Sequence, residues 1–568
     1  MTVDLAGYRN VPDALADRAR LRPEHPALIV SPDGGPDGEE VYTHAELLAR
    51  VERSARWLAA RLEPGSRVVL ALPSGVGFVE SYFGCLTAGM LAVPVPPPGG
   101  SAQARARIEQ IVRDCEPALV LTEEGDVQGL AETVAQAGLA GCAVQTPAVA
   151  QAAAEERAPL PEAGRDTLGV LQYSSGSTGE PKGVMVSQGN VLANAELFCR
   201  ANGADQDDVF GGWIPLHHDM GLFTMLSSAV LAGATAVLMP PTAFVRRPAT
   251  WLRLIQRHRI SVSAAPNFAF DLCVRLVSKE QADAVDLSSL HCVINGSEPI
   301  HVPTLRAFTE HFAAAGFAPE AMTPGYGLAE ATVYVSTKPP RQRPALLTTG
   351  AGGEVAGCGL PIGFELRIVD PVTRLACAPG ETGEIWVRGE SVGQGYWNRP
   401  GISEEIFRAT LADSADDTWW LRTGDLGSVQ EGELVITGRL KEVMVVRGRN
   451  VFPQDVEHEA RTAHPLLAGF LGAAFAVQAP EERVVLVHEI SSVASPEEFP
   501  ALVAAVRKQL TGVLGSPLRD VVLLRRGAVR RTTSGKIQRG TMRSLFLEGG
   551  LAPVYADLSP EVRGLLPA

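Results

Sequence analysis

The stretch YSSGSTGEPKGVMVS, from Tyr173 to Ser187, is a loop rich in glycines and hydroxyl side chains. It follows LGVLQY, a pattern that is typical of a buried strand. Glycines allow consecutive backbone amides to point into one concavity, while hydroxyls and a lysine add donors and positive charge. The sequence therefore predicts a cradle for an oligophosphate.

The residues after Lys182 argue against a Walker-type phosphate loop. In that loop the lysine opens a helix, whereas Gly183 and the β-like run VMVS follow Lys182 here. We therefore expect the loop to connect two strands. A flexible surface turn remains the alternative while this loop is considered alone.

The composition is that of a large folded protein. The chain has 568 residues, of which 46% are hydrophobic and 20% are charged, so it is long enough for several domains. A formal net charge of -14 argues against general attraction to nucleic acid or to an anionic membrane. The eight cysteines form no CxxC pair, and neither a secretory signal nor a membrane span is recognisable, so we expect a cytoplasmic protein.

The order of the sequence patterns predicts an α/β fold. Two helical patterns flank a short strand between Val11 and Ala60, and strands then alternate with helices as far as SVSAAP. Such alternation favours parallel sheets with helices on both faces. After Pro339, the short strands FELRIVD, GEIWVRG and GELVITG predict a β-rich subdomain. A final α+β stretch follows a boundary near Gly438 to Lys441.

Four further motifs follow the phosphate loop along the chain. They are GYGLAEAT from Gly325, LRTGDLG from Leu421, GRLKEVMVVRGRNVFPQDVE from Gly438 and RTTSGKIQR from Arg531. In this order the five motifs resemble the adenylate-forming superfamily, which includes acyl-CoA synthetases, luciferases and nonribosomal-peptide adenylation domains. The resemblance implies that residues 1–438 form a large adenylation core and that residues 439–568 form a small mobile α+β domain.

The resemblance assigns residues to the phosphates of ATP and to Mg²⁺. The β- and γ-phosphates would be held by Ser174, Ser175, Gly176, Ser177, Thr178, Gly179 and Lys182. Glu330 would hold Mg²⁺ bridging these phosphates, because this hard cation prefers carboxylate and phosphate oxygens. A surface glutamate after a turn is the alternative for Glu330.

The base and the ribose of ATP have their own predicted residues. Tyr326 offers a flat face for adenine, with core packing as the alternative, and Asp425 can accept hydrogen bonds from both ribose hydroxyls. By resemblance, the other members of the nucleotide site are Asn295, Gly296, Ser297, Glu298, Gly327, Ala329 and Arg439.

Attack of a carboxylate on the α-phosphorus brings two anions together, so positive charge must be in place beforehand. By resemblance, Lys536 neutralises this charge while the mixed anhydride forms, and His218 lies beside the reacting carboxylate. Lys441 falls at the family's hinge, and rotation about it brings Gly448 to line a tunnel for a thiol. A solvated basic loop and a structural histidine are the alternatives for Lys536 and His218.

Three segments resemble one branch of the superfamily, the fatty acyl-AMP ligases. They are WIPLHHDMGL from Trp213, the long match that begins with PPTAFVRRPATWL, and RGRNVFPQDVE. Ala329 also fits this branch, because many CoA ligases have threonine there. The branch implies a medium- or long-chain fatty acid as substrate and a phosphopantetheinylated acyl or peptidyl carrier protein, acting in trans, as acceptor. A basic cluster would meet the acidic carrier or pyrophosphate: Arg525, Arg526, Arg530 and Arg531.

Other functions stay open at this point. That branch usually carries an insertion after GYGLAEAT, but the connection from Val335 to Cys358 is short, so the insertion is reduced or absent and CoA stays an alternative acceptor. Gln188 also replaces a common histidine. Asp219 would suit the amino group of an amino acid substrate. A non-catalytic nucleotide- or acyl-binding module is the remaining alternative. The charged set that argues against it comprises Lys182, Glu330, Asp425 and Lys536.

Overall fold

The structure is a computed structural model. It describes residues 3–99, 102–153, 158–174, 181–348, 354–414, 418–446, 449–479, 481–514, 517–531 and 536–567. The chain divides into two units, of which the first comprises Met1–Ser174, Pro181–Thr423 and Gly427–Ile436, and the second comprises Gly424–Leu426 and Thr437–Ala568. The assignment of residues 1–438 to substrate binding and of residues 439–568 to a mobile lid stays a prediction.

Within the described residues, one sheet of the first unit has eight strands. Their spatial order is Tyr334–Thr337, Met322–Gly327, Cys292–Asn295, Val262–Ala265, Val209–Gly212, Thr235–Leu238, Pro26–Val30 and Glu40–Thr43. The six inner strands pair in parallel and both edge strands are antiparallel. The edge strand Glu40–Thr43 was not predicted, because its half-exposed side chains form no apolar run.

The other large sheet of the first unit has six described strands and contains the phosphate hairpin. Their spatial order is Ala143–Gln145, Leu119–Thr122, Arg67–Ala71, Leu91–Pro94, Leu168–Ser174 and Lys182–Ser187. Neighbouring strands pair in parallel except for the last two, which are antiparallel. Its inner strands are almost wholly buried, in agreement with the continuous apolar runs of the sequence.

Some helices of the first unit begin at a polar side chain that satisfies a free backbone amide. Thr43 and Ser187 are such caps, because their hydroxyls accept hydrogen bonds from the amides of Glu46 and Asn190. The described α-helices of this unit are Val11–Leu21, His44–Ala59, Val76–Thr87, Ala102–Cys115, Val127–Gln136, Pro147–Ala152, Gln188–Asn202, Ser228–Ala232, Pro241–Arg246, Ala249–His258, Asn267–Leu276, Lys279–Asp283, Val302–His311 and Pro400–Phe407.

The predicted β-rich subdomain is confirmed. All three quoted patterns form strands of one sheet, whose described order is Phe364–Val369, Gly383–Gly389, Leu421–Gln430 and Glu433–Arg439. A two-stranded sheet, Leu346–Thr348 with Glu354–Ala356, precedes it along the chain.

The second unit is the predicted α+β structure. Its sheet has the described order Gly472–Ala479, Glu481–Ile490, Asp520–Arg525 and Pro553–Asp557, with a parallel central pair and antiparallel edges. Its helices are Pro453–Thr462, Phe499–Leu514, Arg539–Leu547 and Pro560–Arg563, and Met444–Val446 pairs with Arg449–Val451. Together the two units confirm the α/β fold class predicted from the alternating patterns.

Candidate active site

The phosphate loop connects two antiparallel strands. Leu168–Ser174 pairs with Lys182–Ser187, and Ser174 lies opposite Lys182. The lysine therefore begins a strand and not a helix, as predicted, which excludes a Walker loop. The loop residues Ser175, Gly176, Ser177, Thr178 and Gly179 lie outside the described residues, as does Gly448.

The base of this hairpin is fixed by a buried tyrosine. Gly183 makes room for the ring, because a Cβ there would lie 2.9 Å from Cζ of Tyr173. The Tyr173 hydroxyl donates to Oδ2 of Asp114 at 2.6 Å, and Arg399 pairs with Oδ1 of the same carboxylate at 2.8 Å. Burial and the Asp114 carboxylate raise the pKa of Tyr173 well above its ordinary value, so the hydroxyl stays protonated.

The motif GYGLAEAT turns sharply after its strand and thereby places Glu330. Tyr326 is buried near the end of that strand, and Glu330 lies in the 3₁₀ turn Ala329–Ala331. Gly327 has no room for a side chain, because a Cβ would lie 1.7 Å from the carbonyl oxygen of Val333. Thr332 has a φ of +67°, which is strained for a β-branched residue, and its hydroxyl donates to the Ser391 carbonyl at 2.6 Å.

Glu330 contacts Tyr396, a residue that none of the quoted motifs contains. The Tyr396 hydroxyl donates to Oε1 of Glu330 at 2.7 Å, and Nζ of Lys182 lies 5.3 Å from the centroid of the Tyr396 ring. The predicted phosphate lysine and the predicted magnesium ligand therefore meet at one tyrosine. The sequence signal was GQGYWNRP, where two glycines before the aromatic residue indicate a close backbone approach.

The segment Asn295 to Glu298 lies beside the strand of Tyr326. Asn295 pairs in parallel with Pro324, and a Cβ on Gly296 would lie 3.0 Å from the carbonyl oxygen of Gly325. Oε1 of Glu298 accepts a hydrogen bond at 2.5 Å from the Phe268 amide, in the first turn of the helix Asn267–Leu276. Glu298 is therefore a helix cap, and its contact with the base stays a prediction, as do those of Gly296 and Ser297.

The segment WIPLHHDMGL forms a tight turn that orients His218. Nδ1 of His218 lies 2.7 Å from Oδ1 of Asp219, which also accepts a hydrogen bond from the Met220 amide at 2.8 Å. A Cβ on Gly221 would lie 2.3 Å from the carbonyl oxygen of Pro215, so only glycine allows the chain to double back here. The turn holds the His218 ring in one orientation.

His217, which no motif assignment included, is held in its neutral form. Burial, with the charges of His218 and Arg107, lowers the pKa of His217 to about 3. Its carbonyl accepts a hydrogen bond at 3.0 Å from Nε2 of Gln172, which ties this turn to the strand leading into the phosphate loop. Within the described residues, Nε2 of His217 and Oε1 of Gln172 are buried without a partner, as expected of groups that await water or a ligand.

The apolar run after this turn is helical, and its first part is a π-helix. Met220–Ser227 forms the π-helix, which continues as the α-helix Ser228–Ala232. The hydroxyls of Ser227 and Ser228 donate to carbonyls five residues earlier, at 2.8 and 2.9 Å, and so stabilise the wider turns. π-Helical turns often occur at functional sites.

Gln188, at the position where the resemblance led us to expect a histidine, is part of the core packing. It is fully buried, and its Oε1 accepts a hydrogen bond from the Val11 amide at 3.0 Å. Its Nε2 donates to the Leu86 carbonyl at 2.9 Å. The Gln188 side chain therefore joins the start of the first helix to the helix Val76–Thr87.

The predicted ribose pair lies in the second unit. Nε of Arg439 donates to Oδ1 of Asp425 at 3.0 Å, so the two residues meet as expected. Lys441 lies in the 3₁₀ turn Leu440–Glu442. Lys536 directly precedes Ile537, which forms an antiparallel bridge with Arg531.

The segment of Lys536 has a buried anchor on each side. Before it, Oε1 of Glu489 accepts hydrogen bonds at 2.9 Å from the amides of Gly527 and Val529. After it, Arg539 forms ion pairs with Glu457 at 2.7 Å and with Glu442 at 2.6 Å. Burial alone would lower the pKa of Arg539, but the two carboxylates raise it above its ordinary value.

Comparison with known proteins identifies the family of this chain. A profile of the family described as AMP-binding enzyme matches residues 15–397. The chain belongs to the AMP-binding enzyme family. A medium-chain-fatty-acid–[acyl-carrier-protein] ligase, JamA of Moorena producens (strain JHB), is 36% identical over 535 residues, which is 90% of each chain.

Two further similar proteins extend the match. The long-chain-fatty-acid–AMP ligase FadD26 of Mycobacterium marinum (strain ATCC BAA-535 / M) is 36% identical over 574 residues, covering 94% of this chain and 96% of its own. The solved structure of a fatty acid AMP ligase from Legionella pneumophila superimposes with a TM-score of 0.74 at 30% identity, covering 97% of this chain and 98% of its own. The resemblance and the adenylate-forming fold stated above are confirmed.

AMP-binding enzymes use ATP, and the surroundings of Glu330 fit the cation that accompanies it. Among the described residues, Glu330 forms no ion pair and Oε1 alone accepts a hydrogen bond, from Tyr396. The same residues contain no cluster of three or more potential metal ligands. A lone carboxylate suits Mg²⁺, which takes its other ligands from phosphates and water. Glu330 would hold this ion, which would neutralise phosphate charge.

In the part of the chain that the structure describes, no helix is both long enough and apolar enough to cross a membrane.

Proposed function

We propose that this AMP-binding enzyme activates a medium- or long-chain fatty acid with ATP and then transfers the acyl group to a carrier protein. The acceptor is the phosphopantetheine thiol of an acyl or peptidyl carrier protein. The observation that carries the proposal is the meeting of Lys182 and Glu330 at Tyr396, beside the hairpin of the phosphate loop. Relatives named as fatty acid ligases over nearly the whole chain support the choice of acid.

In the first reaction a carboxylate oxygen attacks the α-phosphorus of ATP, and the bond from this phosphorus to the bridging oxygen breaks. The products are acyl-AMP and pyrophosphate. Lys182 and the phosphate loop hold the leaving pyrophosphate, and His218 orients the carboxylate through its fixed ring. Lys536 neutralises the charge of the two reacting anions. In the second reaction the thiolate attacks the acyl carbon, and AMP leaves.

The remaining predicted residues bind the nucleoside part of ATP. Tyr326, with Gly327 and Ala329, lies against the base, opposite Gly296 and Ser297. Asp425 binds the ribose hydroxyls, and its ion pair with Arg439 holds the carboxylate in place. Lys441 is the hinge between the two half-reactions.

Two observations support a fatty acid over an amino acid as the substrate. The Asp219 carboxylate, the candidate partner of an amino group, already pairs with His218 at 2.7 Å. The π-helix after it contributes only apolar, glycine or hydroxyl residues, all of them buried. For the carrier protein, the support is the basic cluster Arg525, Arg526, Arg530 and Arg531, which is exposed and opposite in sign to an acidic partner.

The test is exchange of labelled pyrophosphate into ATP with fatty, hydroxy, aromatic and amino acids. Medium- or long-chain fatty acids should support the fastest exchange, and Glu330→Gln should abolish it. Faster exchange with an amino acid would contradict the substrate assignment. No exchange with any acid would contradict the enzyme and favour a binding module.

A further inference from the structure

Tyr396 lies between two charged side chains, Glu330 and Lys182, to which the proposed function assigns different parts of the ATP–metal complex. Its hydroxyl donates to Oε1 of Glu330 at 2.7 Å, and its ring faces Nζ of Lys182, 5.3 Å from the ring centroid. Tyr396 is only 7% exposed, so neither contact is an accident of a mobile surface side chain.

The backbone holds Tyr396 against the phosphate hairpin. Val184 and Tyr396 form an antiparallel bridge. Backbone hydrogen bonds continue the pairing on both sides, from Met185 to the Gly395 carbonyl at 2.9 Å and from Trp397 to the Gly183 carbonyl at 2.8 Å. The segment around Tyr396 thus extends the hairpin sheet by one short strand, and any shift of Lys182 is opposed by these bonds.

The same segment is tied to the turn of Glu330. The Gly393 amide donates to the Glu330 carbonyl at 2.9 Å, so backbone and side chain of Glu330 are both held. Ser403 accepts a hydrogen bond from the Tyr396 amide at 2.8 Å, and the ring packs edge-on against Phe407 with centroids 5.1 Å apart. Tyr396 therefore has little freedom to rotate away from either charged group.

We propose that Tyr396 is a positioning residue that presents Glu330 to the metal ion of ATP and Lys182 to its phosphates. This inference rests on the proposed function, from which it takes the two ligands. The neutral phenol contributes a hydrogen bond to Oε1 without cancelling the charge of Glu330, and it leaves Oε2 for the cation. The contact with the ring face holds Nζ of Lys182 without itself cancelling the positive charge.

The test is calorimetric titration of the full-length protein with ATP, without acid, in excess Mg²⁺ and again in EDTA. Tyr396→Phe removes the hydroxyl and keeps the ring. We expect roughly tenfold weaker ATP binding in Mg²⁺, since a hydrogen bond to a charged acceptor is lost, and unchanged binding in EDTA. Tyr396→Leu also removes the ring, so it should weaken binding in EDTA as well, through Lys182.

The matched control is Tyr8→Phe, which removes a 2.5 Å hydrogen bond to Asp17 outside this site and should change neither titration. In a Glu330→Gln background, Tyr396→Phe should cause no further loss in Mg²⁺. Two results would overturn the inference. One is a Tyr396→Phe variant that loses as much ATP affinity in EDTA as in Mg²⁺, and the other is a double variant in which the losses of Tyr396→Phe and Glu330→Gln add.

The two proposals fail separately. Metal-dependent ATP binding that Tyr396→Phe weakens, in a protein that shows no acid-dependent exchange, would contradict the proposed reaction and support the role of Tyr396. Normal acid-dependent exchange in the unaltered protein, together with unchanged ATP binding in the Tyr396→Phe variant, would support the proposed reaction and contradict the role of Tyr396.

Discussion

Replacing Arg539 by methionine should destabilise the second unit by about 3–5 kcal/mol, the usual cost of leaving a buried charge without its partner. Arg539 donates to both oxygens of Glu457 at 2.7 and 2.8 Å and to Glu442 at 2.6 Å. The Glu457 side chain is only 5% exposed. Without Arg539, the hydrogen-bond donor that remains to the Glu457 carboxylate among the described residues is the Ala474 amide at 2.9 Å. One neutral amide cannot balance the charge of a buried carboxylate.

Hydrogen exchange in increasing urea, followed by mass spectrometry on the strands Gly472–Ala479 and Glu481–Ile490, measures this loss. Tryptophan fluorescence should stay unchanged at the same urea concentrations, because all seven tryptophans precede residue 437. The matched control is Arg543→Met, which removes an exposed arginine of the same helix and should cost under about 1 kcal/mol.

Combining Arg539→Met with Glu457→Met should recover most of the lost stability, because apolar replacement of a whole buried pair is often nearly neutral. A loss below about 1 kcal/mol in the single variant would refute the reasoning from burial. A double variant as unstable as the single one would do the same.

Three further predictions concern the second unit. Lys536→Ala should abolish acid-dependent pyrophosphate exchange but spare transfer from supplied acyl-AMP; normal exchange would contradict its role. Lys441→Pro should slow thioester formation far more than adenylation in single-turnover assays, and equal slowing would count against the hinge. Burial, with the charges of Glu457 and Glu459, raises the pKa of Asp455 to about 6, so the folded unit binds this proton more tightly than the unfolded chain does. The free energy of unfolding should therefore fall as pH rises from about 4 to 6. In urea titrations, Asp455→Asn should flatten this fall and stabilise the unit at pH 7 by up to ~3 kcal/mol. Identical pH profiles of the variant and the unaltered protein would disprove this prediction.

Local patterns predicted the elements that local sequence determines. Lys182 begins a strand because the run after it contains two valines that alternate with other residues, and the same run distinguishes this loop from a Walker loop. The buried parallel strands and the β-rich subdomain followed from similar runs. The meeting of Asp425 and Arg439 was expected from the family resemblance and not from their spacing.

Pairings between distant segments could not be predicted in this way. Tyr396 and Glu330 are 66 residues apart, and Arg539 lies 82 residues from Glu457, so neither contact leaves a periodic pattern. The π-helix Met220–Ser227 is buried on every side, and its sequence pattern cannot be distinguished from that of a buried α-helix. The capping role of Glu298 also depends on a helix that begins about thirty residues earlier.

Acylation of a holo carrier protein in direct competition with CoA tests the central claim most directly. The enzyme, ATP, Mg²⁺ and a medium-chain fatty acid are mixed with equal concentrations of both acceptors, and intact mass spectrometry follows the products. The account predicts acyl-phosphopantetheine on the carrier protein while CoA stays free. Rapid formation of acyl-CoA beside an unmodified carrier protein would contradict it.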